Sequence, residues 1–434
     1  MKIPKALLVD PDRNFWYGSA AVALSIFVFA YSTRFGQVSI LAYYACWLPL
    51  VLVDHRRVLD RYWRFLWVIA FAVFACLSVF WSAAPSITLR AAIQLLSHVI
   101  CALIAARTVG IRTMSVGAMA GILVVLLYSL MVGQYDFDPL DGTYSFVGAF
   151  SSKNQVGLFS SLGIFFGFAA LFALRERGLV RILAAVCATL SAVTLVKAQS
   201  ATSVLALVAT LAVLFCLKFA MWFSPSTRKG ALIAGFMVTL VLVFAAANMG
   251  AFDLVLGAFG KDSTLTGRTY LWSQGLAASA DAPVFGVGYQ AYWVQGFSEA
   301  ERLWDEFYIG SRAGFHFHNT YIEVLVELGV VGVLLIALLM IRIPFGLLRR
   351  FAGARKDPAS LIAFGIATMF LVRSFVEVDV ITPYVVGSFL FYYVAGLLAV
   401  PQRDRQPAEP YLARWRRVAQ NGAGGMEGSA FYRP

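Results

Sequence analysis

Of the 434 residues, 60% are hydrophobic and only 13% are charged, about half the charge of a soluble globular protein. The apolar residues fall in blocks of about 20, the length that crosses a bilayer core, which excludes a single large soluble core. A net charge of +12 in a soluble chain would suggest nucleic acid, but here Lys and Arg fall in alternate short loops between apolar blocks, so no nucleic-acid partner is expected.

In chain order, residues 1–14 precede the first apolar block and contain Lys2, Lys5 and Arg13. That pattern predicts an uncleaved first membrane helix rather than a processed leader. Membrane helices are predicted near 15–33, 36–53, 65–81, 88–106, 113–132, 154–174, 179–197, 201–223 and 231–250, because backbone polar groups in lipid must be satisfied within the segment. A long connection, 251–316, follows, then helices near 317–341, 358–376 and 383–400, and a polar tail over 401–434. The fold class is therefore an all-α polytopic membrane protein of about twelve transmembrane helices with one long external loop that contains short amphipathic helices.

Basic residues cluster in every second loop. Arg56, Arg57, Arg61 and Arg64 come first, then Arg107 and Arg112, then Arg175, Arg177 and Arg181. Lys218, Arg228 and Lys229 follow, then Arg342, Arg349, Arg350, Arg355 and Lys356, and the tail carries Arg403, Arg405, Arg414, Arg416 and Arg417. The alternation stays in phase, which places both termini in the cytoplasm.

Two external loops stand out. One, 133–153, carries Asp136, Asp138, Asp141 and Lys153. In the other, apolar residues at 271, 272, 275 and 276 predict an interfacial amphipathic helix over Arg268–Ala280. Its Trp272, Trp293 and Trp304 argue against disorder. The five cysteines lie in apolar segments with no CxxC and are expected to be buried small residues.

Two of the four histidines, His316 and His318, flank Phe317 at an external helix start and precede Asn319. A neutral imidazole there can take a proton from an alcohol near pH 7, although a pair that solvates a helix end is the plainer alternative. Cations on the external side are few: Lys153, Lys197, Arg268, Arg302, Arg312 and Arg373, with Arg90 close by. Charges at a membrane surface mark sites by default, and converging guanidiniums hold phosphate. Arg373 has Glu377 one helical turn on, an obvious local partner; Arg268 has no carboxylate at i+3 or i+4 and is the better phosphate ligand. Gly286-Val-Gly288-Tyr-Gln-Ala291 fits a dinucleotide fingerprint only formally, since no strand–helix pattern surrounds it; a turn is expected. Asp136-Phe-Asp138 faces away from cytoplasmic nucleotide sugars, and no metal site is expected.

His318-Asn319, nine residues, then Gly329-Val-Val-Gly332 resembles the signature of the O-antigen ligase and polymerase superfamily. Gly267-Arg268-Thr-Tyr-Leu-Trp272 with Pro283-Val-Phe-Gly286-Val-Gly288, and Phe150-Ser-Ser-Lys153-Asn154-Gln-Val-Gly157, are similar to further segments of the same family. The likeness is close over about residues 140–345, and the flanks match in topology. It implies a bacterial inner-membrane glycosyltransferase with a large periplasmic loop. Such an enzyme moves a glycan from undecaprenyl diphosphate to an acceptor sugar hydroxyl without cofactor or metal. The acceptor is a lipid-linked repeat or lipid A-core, and membrane lipid and a chain-length regulator are partners the resemblance leaves room for. Carried onto this chain, His318 is the base or acceptor-orienting group and Arg268 holds the diphosphate. Lys197, Arg373, Arg90, Lys153, Asn154, Asn319 and His316 are candidate substrate ligands.

The ligases carry an arginine in a Ser-rich helix start matching Lys197-Ala-Gln-Ser-Ala-Thr-Ser203. Here Lys197 is the nearest cation, and Arg373-Ser-Phe-Val-Glu377 resembles the exopolysaccharide polymerases. Tyr and Trp of the long loop are expected to stack on sugars. A polymerase is therefore the first expectation and a ligase the second. A transporter, which shares the layout of many helices with both ends inside, is the competing class, although two similar halves are not evident.

Overall fold

The computed structural model describes residues 4–138, 142–248, 267–312, 314–353 and 357–400. Asp141, Arg355, Lys356, the first part of the long loop (251–266) and the tail expected over 401–434 lie outside the described residues.

The chain is helical almost throughout. Helix α1 spans Trp16–Trp47 and leaves helical geometry at Tyr31 and Gly36 (φ 62°). The Trp47 indole donates to Ser25 Oγ at 2.9 Å and the Tyr17 hydroxyl to the Cys46 carbonyl at 2.6 Å. Residues 22 apart on a straight helix lie about 33 Å apart, so α1 folds back on itself as two antiparallel arms. These are the segments expected at 15–33 and 36–53. There follow α2 (Leu66–Leu77), α3 (Pro85–Thr108), α4 (Ile111–Val132), α5 (Lys153–Phe168), α6 (Gly178–Ala198), α7 (Ala201–Ala220) and α8 (Pro225–Asn248). The long loop contributes α9 (Arg268–Ser279) and α10 (Ser298–Glu306), and α11 (Thr320–Gly353), α12 (Pro358–Arg373) and α13 (Val386–Ala399) complete the fold. Among the described residues eight helical segments, α1 counted once, are long and apolar enough to cross a membrane, and α12 and α13 are shorter apolar helices.

Small residues let these helices approach closely, as apolar helices in lipid require. A Cβ on Gly117 would lie 2.6 Å from the Ser19 carbonyl oxygen, and one on Gly121 2.7 Å from that of Ala23; the two glycines seat α4 against the first arm of α1. One departure from an all-helical chain is a hairpin in the first external loop. Strand β1 (Gln134–Asp138) pairs antiparallel with β2 (Thr143–Gly148). The alternation of Tyr135 and Phe137 with Asp136 and Asp138 suits a two-faced ribbon.

The second departure is a break in α11. Gly329 sits at φ 64°, ψ −166°, a conformation open to glycine alone. In an intact helix the N–H groups of Val330 and Val331 would donate to the carbonyls of Val326 and Glu327. Instead Val330 donates to Pro283 (2.9 Å) and Val331 to Val284 (3.3 Å), while Val287 and Gly288 donate to Val326 (3.1 Å) and Glu327 (2.8 Å). Two lost helical bonds are exchanged for four to the segment Pro283–Gly288, and the N–H and carbonyl groups freed by the break are all paired again. Gly286 (φ 69°) completes the seam, since a Cβ there would lie 2.3 Å from the Glu327 carbonyl carbon. The Gly286–Gly288 motif is thus a turn docked on a broken helix.

Gly329→Ala is expected to destabilise the fold beyond the roughly 1–3 kcal/mol of a strained backbone, because its Cβ would also meet the Val284 carbonyl carbon at 2.2 Å. Gly178→Ala is the control, with positive φ but nothing within 4 Å. Thermal unfolding of the two variants in detergent should differ by several degrees; equal midpoints would show that the seam contributes nothing.

The long loop carries its own small core. Leu271, Tyr292, Ala300, Leu303, Trp304, Phe317 and Val326 are buried together, and Trp293 packs on Phe317 with ring centroids 4.8 Å apart. Residues Leu271, Gly275 and Ser279 form the buried face of α9, and a Cβ on Gly275 would lie 2.5 Å from Ile322 of α11. The expectation that the loop tryptophans present their faces to sugars is corrected for Trp304, which is 1% exposed. The Trp272 indole N–H donates to the Phe317 carbonyl at 2.9 Å.

Candidate active site

His318 owes its position to the knitting of two chain segments. Helix α12 ends at Arg373, and the chain turns back beneath the start of α11. Thr320 donates through its N–H to the Ser374 carbonyl (2.9 Å) and through its hydroxyl to that of Glu377 (2.8 Å). The Asn319 amide donates to the Phe375 carbonyl at 3.0 Å. Its Oδ1 caps α11 by accepting from the N–H groups of Tyr321 and Ile322. One helical turn on, Glu323 accepts from the Phe317 N–H (2.7 Å) and the Trp293 indole (2.9 Å), which fixes the Phe317–Asn319 turn. His318 adopts φ 51° there, and its N–H donates to His316 Nδ1 at 3.1 Å.

Glu377 is the hub of the site. Its Oε1 accepts from Arg268 Nη2 at 2.8 Å and from the Asn154 amide at 2.9 Å, and its Oε2 lies 3.3 Å from His318 Nδ1. A second layer supports these groups. Arg268 Nη1 donates to the Val376 carbonyl (2.8 Å) and reaches Thr202 Oγ1 at 3.5 Å. Ser200 donates to Asn154 Oδ1, and its Oγ lies 3.0 Å from that of Ser203. Arg373, 1% exposed, donates to Ser203 (3.1 Å) and to Asp379 (2.5 Å). Two guanidiniums thus face two carboxylates in a largely buried cluster.

Burial raises the Glu377 carboxyl, but Arg268, then His318 and Arg373, outweigh it and hold the group well below the usual carboxylate range. His318 is pushed below its ordinary value by burial and then by Arg268, against the opposing pull of Glu377. His316 is driven to about 3 by burial and by His318. Both imidazoles are therefore neutral at pH 7, and Glu377 is charged. Accepting the Nδ1–H of His318 selects the tautomer whose Nε2 lone pair is left to receive a proton.

A cavity of about 1480 Å³ opens onto this cluster, and its lining includes Lys153, Asn154, Arg268, His316, His318, Arg373 and Glu377. It also includes Asp136 and Phe137 of the hairpin, Tyr308, Arg312, and the buried Glu323 and Glu327. Phe137 and Tyr308, 55% and 71% exposed, are lining aromatics with free ring surface for a sugar. The other end of the helices carries the arginine-rich loops, where Arg57 pairs with Asp10 and Arg112 with Glu176.

Three expected ligands fall elsewhere. Asn319 is spent on capping. Lys197 is exposed on the last turn of α6 beside exposed Val193 and Val196, so it belongs to the outward face of that helix. Arg90 lies among exposed Ile87, Leu89 and Ile93 on α3. Neither cation lines the cavity. At the Ser-rich start of α7, Arg268 reaches Thr202 and Arg373 is delivered from α12 onto Ser203. Its expected helical pairing with Glu377 does not form, because α12 ends at Arg373 and Asp379 takes the guanidinium instead. Glu377 is the group sequence reasoning undervalued; its position in the Arg373–Glu377 segment was the available signal.

His316, His318 and Glu377 bring potential ligand atoms within 4.8 Å of one another. The Arg268 guanidinium on Glu377 and the His318 N–H on His316 Nδ1 already engage two of these residues. Arginine forks at the mouth of a cavity are the usual means of gripping phosphate oxygens.

Residues 185–337 match the O-antigen ligase family. Over 405 residues the chain is 57% identical to the exopolysaccharide production protein ExoQ of Rhizobium meliloti (strain 1021), covering 93% of each chain. The matched family segment contains Arg268, His318 and both glycines of the broken-helix seam. With a likeness that spans nearly all of both proteins, the chain belongs to the O-antigen ligase family of multi-pass membrane proteins.

Proposed function

We propose that the protein is an exopolysaccharide polymerase of the bacterial inner membrane. It joins a glycan carried on undecaprenyl diphosphate to a sugar hydroxyl of a second lipid-linked glycan. The observation that carries this reading is the neutral His318 joined to Arg268 through Glu377 at the wall of one large cavity. Likeness to a protein of exopolysaccharide production favours polymer over lipid A-core as the acceptor. The cavity lies opposite the arginine-rich ends of the helices, which supports a periplasmic site and cytoplasmic termini.

In the reaction the acceptor oxygen forms a bond to the anomeric carbon as the bond from that carbon to the phosphate oxygen breaks. The acceptor proton passes to His318 Nε2, and undecaprenyl diphosphate departs with the electron pair. Arg268 balances the charge of the leaving group, and His318 later returns its proton to water. Lys153 at the cavity wall adds positive charge near the phosphates, while Arg373 holds Ser203 and Asp379 behind them.

The test is a gel of lipid-linked and secreted glycans from a strain lacking the gene. Loss of secreted polymer with accumulation of single-repeat donor is the expected result. Long lipid-linked chains that never reach lipid A-core would instead identify a ligase, the reading favoured by the description of the matched family. Unchanged glycans, with no redundant enzyme, would overturn both.

A further inference from the structure

The cluster around Glu377 is electrically closed. Arg268, the cation best placed for a diphosphate, is already held by a carboxylate at 2.8 Å. Glu377 is also the only described carboxylate within hydrogen-bonding distance of His318. The same side chain therefore occupies the anion-binding group and orients the base.

We propose that Glu377 is an internal stand-in for the donor diphosphate: arrival of the donor draws Arg268 off Glu377, and the freed carboxylate then turns its full charge on His318. This rests on the proposed role of Arg268 in holding the diphosphate.

Three features of the cluster carry the inference. First, Arg268 divides its contacts between Glu377 through Nη2 and the Val376 carbonyl through Nη1, so an incoming phosphate competes for one arm while the other stays anchored. Second, Glu377 does not become a stranded charge when Arg268 turns away. The Asn154 amide remains on Oε1 and His318 on Oε2, and Arg373 stays close enough to act on it electrostatically. Third, the charged groups facing His318 divide by sign. Arg268 opposes a proton on His318, whereas Glu377 and Asp379 favour one. Phosphate oxygens at Arg268 cancel the opposing field and add negative charge, so the base strengthens when a donor is present. Neutral His316 alters this little. Without donor, His318 is a weak base, and the site does not activate stray hydroxyls or water.

The full-length protein in detergent, with inorganic pyrophosphate and undecaprenyl diphosphate as probes, gives the test. Glu377→Gln should bind either probe about tenfold more tightly, because nothing competes for Arg268, and yet transfer at least a hundredfold more slowly at saturating donor. Glu377→Asp keeps the charge and should not tighten binding. Arg268→Met should bind both probes weakly. If Arg268→Met binds as well as the wild type, the diphosphate assignment itself fails. If Arg268→Met binds weakly but Glu377→Gln is no tighter than the wild type, the stand-in is wrong and the diphosphate assignment stands. Tighter binding without slower transfer would overturn the coupling to His318. Should Glu377→Gln not fold, the wild type decides. The His318 ring, followed by nitrogen-15 resonance, should titrate at higher pH with saturating pyrophosphate than without, and an unmoved titration overturns the proposal.

Discussion

His318→Asn is expected to lower glycan transfer by about 10²–10⁴-fold, the usual contribution of a positioned general base, with insertion and donor binding retained. The asparagine amide nitrogen stands where His318 Nδ1 does and can keep its contact with Glu377 Oε2 at 3.3 Å, so the change removes the Nε2 base and little else. The pH dependence follows from the same geometry. Because burial and Arg268 hold His318 below its ordinary value of 6.5, the base form persists as pH falls through that value. At limiting donor, where kcat/KM reports the free enzyme, rate is lost only as pH drops through the depressed value, so that acid limb of the wild type should lie below pH 6.5. Initial rates in proteoliposomes at limiting lipid-linked repeat measure both. A variant of normal rate, or a wild-type limb well above pH 6.5, would remove His318 as the base.

Arg268→Met should show two losses at once. Transfer falls by about 10²–10³-fold, as when one preorganised donor to a developing anion is removed. The donor concentration needed for half-maximal rate rises. Stability also falls, because Arg268 and Glu377 are 13% and 6% exposed, and breaking a buried pair costs about 3–5 kcal/mol. Asn154 and His318 still hold Glu377, which places the loss at the lower end. Arg302→Met is the matched control: Arg302 and Glu306 are 44% and 38% exposed, and such a pair contributes about 0–1 kcal/mol. Initial rates over a range of donor concentrations, with unfolding midpoints for both variants, separate the two effects. Donor dependence identical to the wild type would place Arg268 outside the diphosphate site.

Helix positions were legible because lipid demands long apolar segments with internally satisfied backbones, a constraint visible one residue at a time. Both arms of α1 were anticipated although they fold at Tyr31–Gly36 rather than through a loop. Arg268, His318, His316, Lys153, Asn154 and Arg373 come together at one cavity, from segments far apart in the chain. Facing direction was less legible. Lys197 sits three residues from Ser200 but on the outward side of its helix, and a charge count cannot distinguish those faces. The Arg373–Glu377 pairing failed because it assumed that α12 continued; the true end of the helix exchanges Glu377 for Asp379. The loop tryptophans looked like a sugar platform, but a loop of this length needs a core of its own, and Trp304 was drawn into it. The broken helix was hidden because Glu327-Leu-Gly329-Val has the apolarity of a continuous span.

Gly286 and Gly329 lie 43 positions apart in the chain, yet each faces the backbone just before the other, Gly286 against Glu327 and Leu328 and Gly329 against Val284 and Phe285, across the four-bond seam. A side chain at either position is enough to pry the contact open, and a second at the other then has little left to disrupt. Mutations at the two sites should therefore combine far less than additively. Relief for a change at either glycine has to come from the segment that faces it, Pro283–Gly288 for Gly329 and Val326–Leu328 for Gly286.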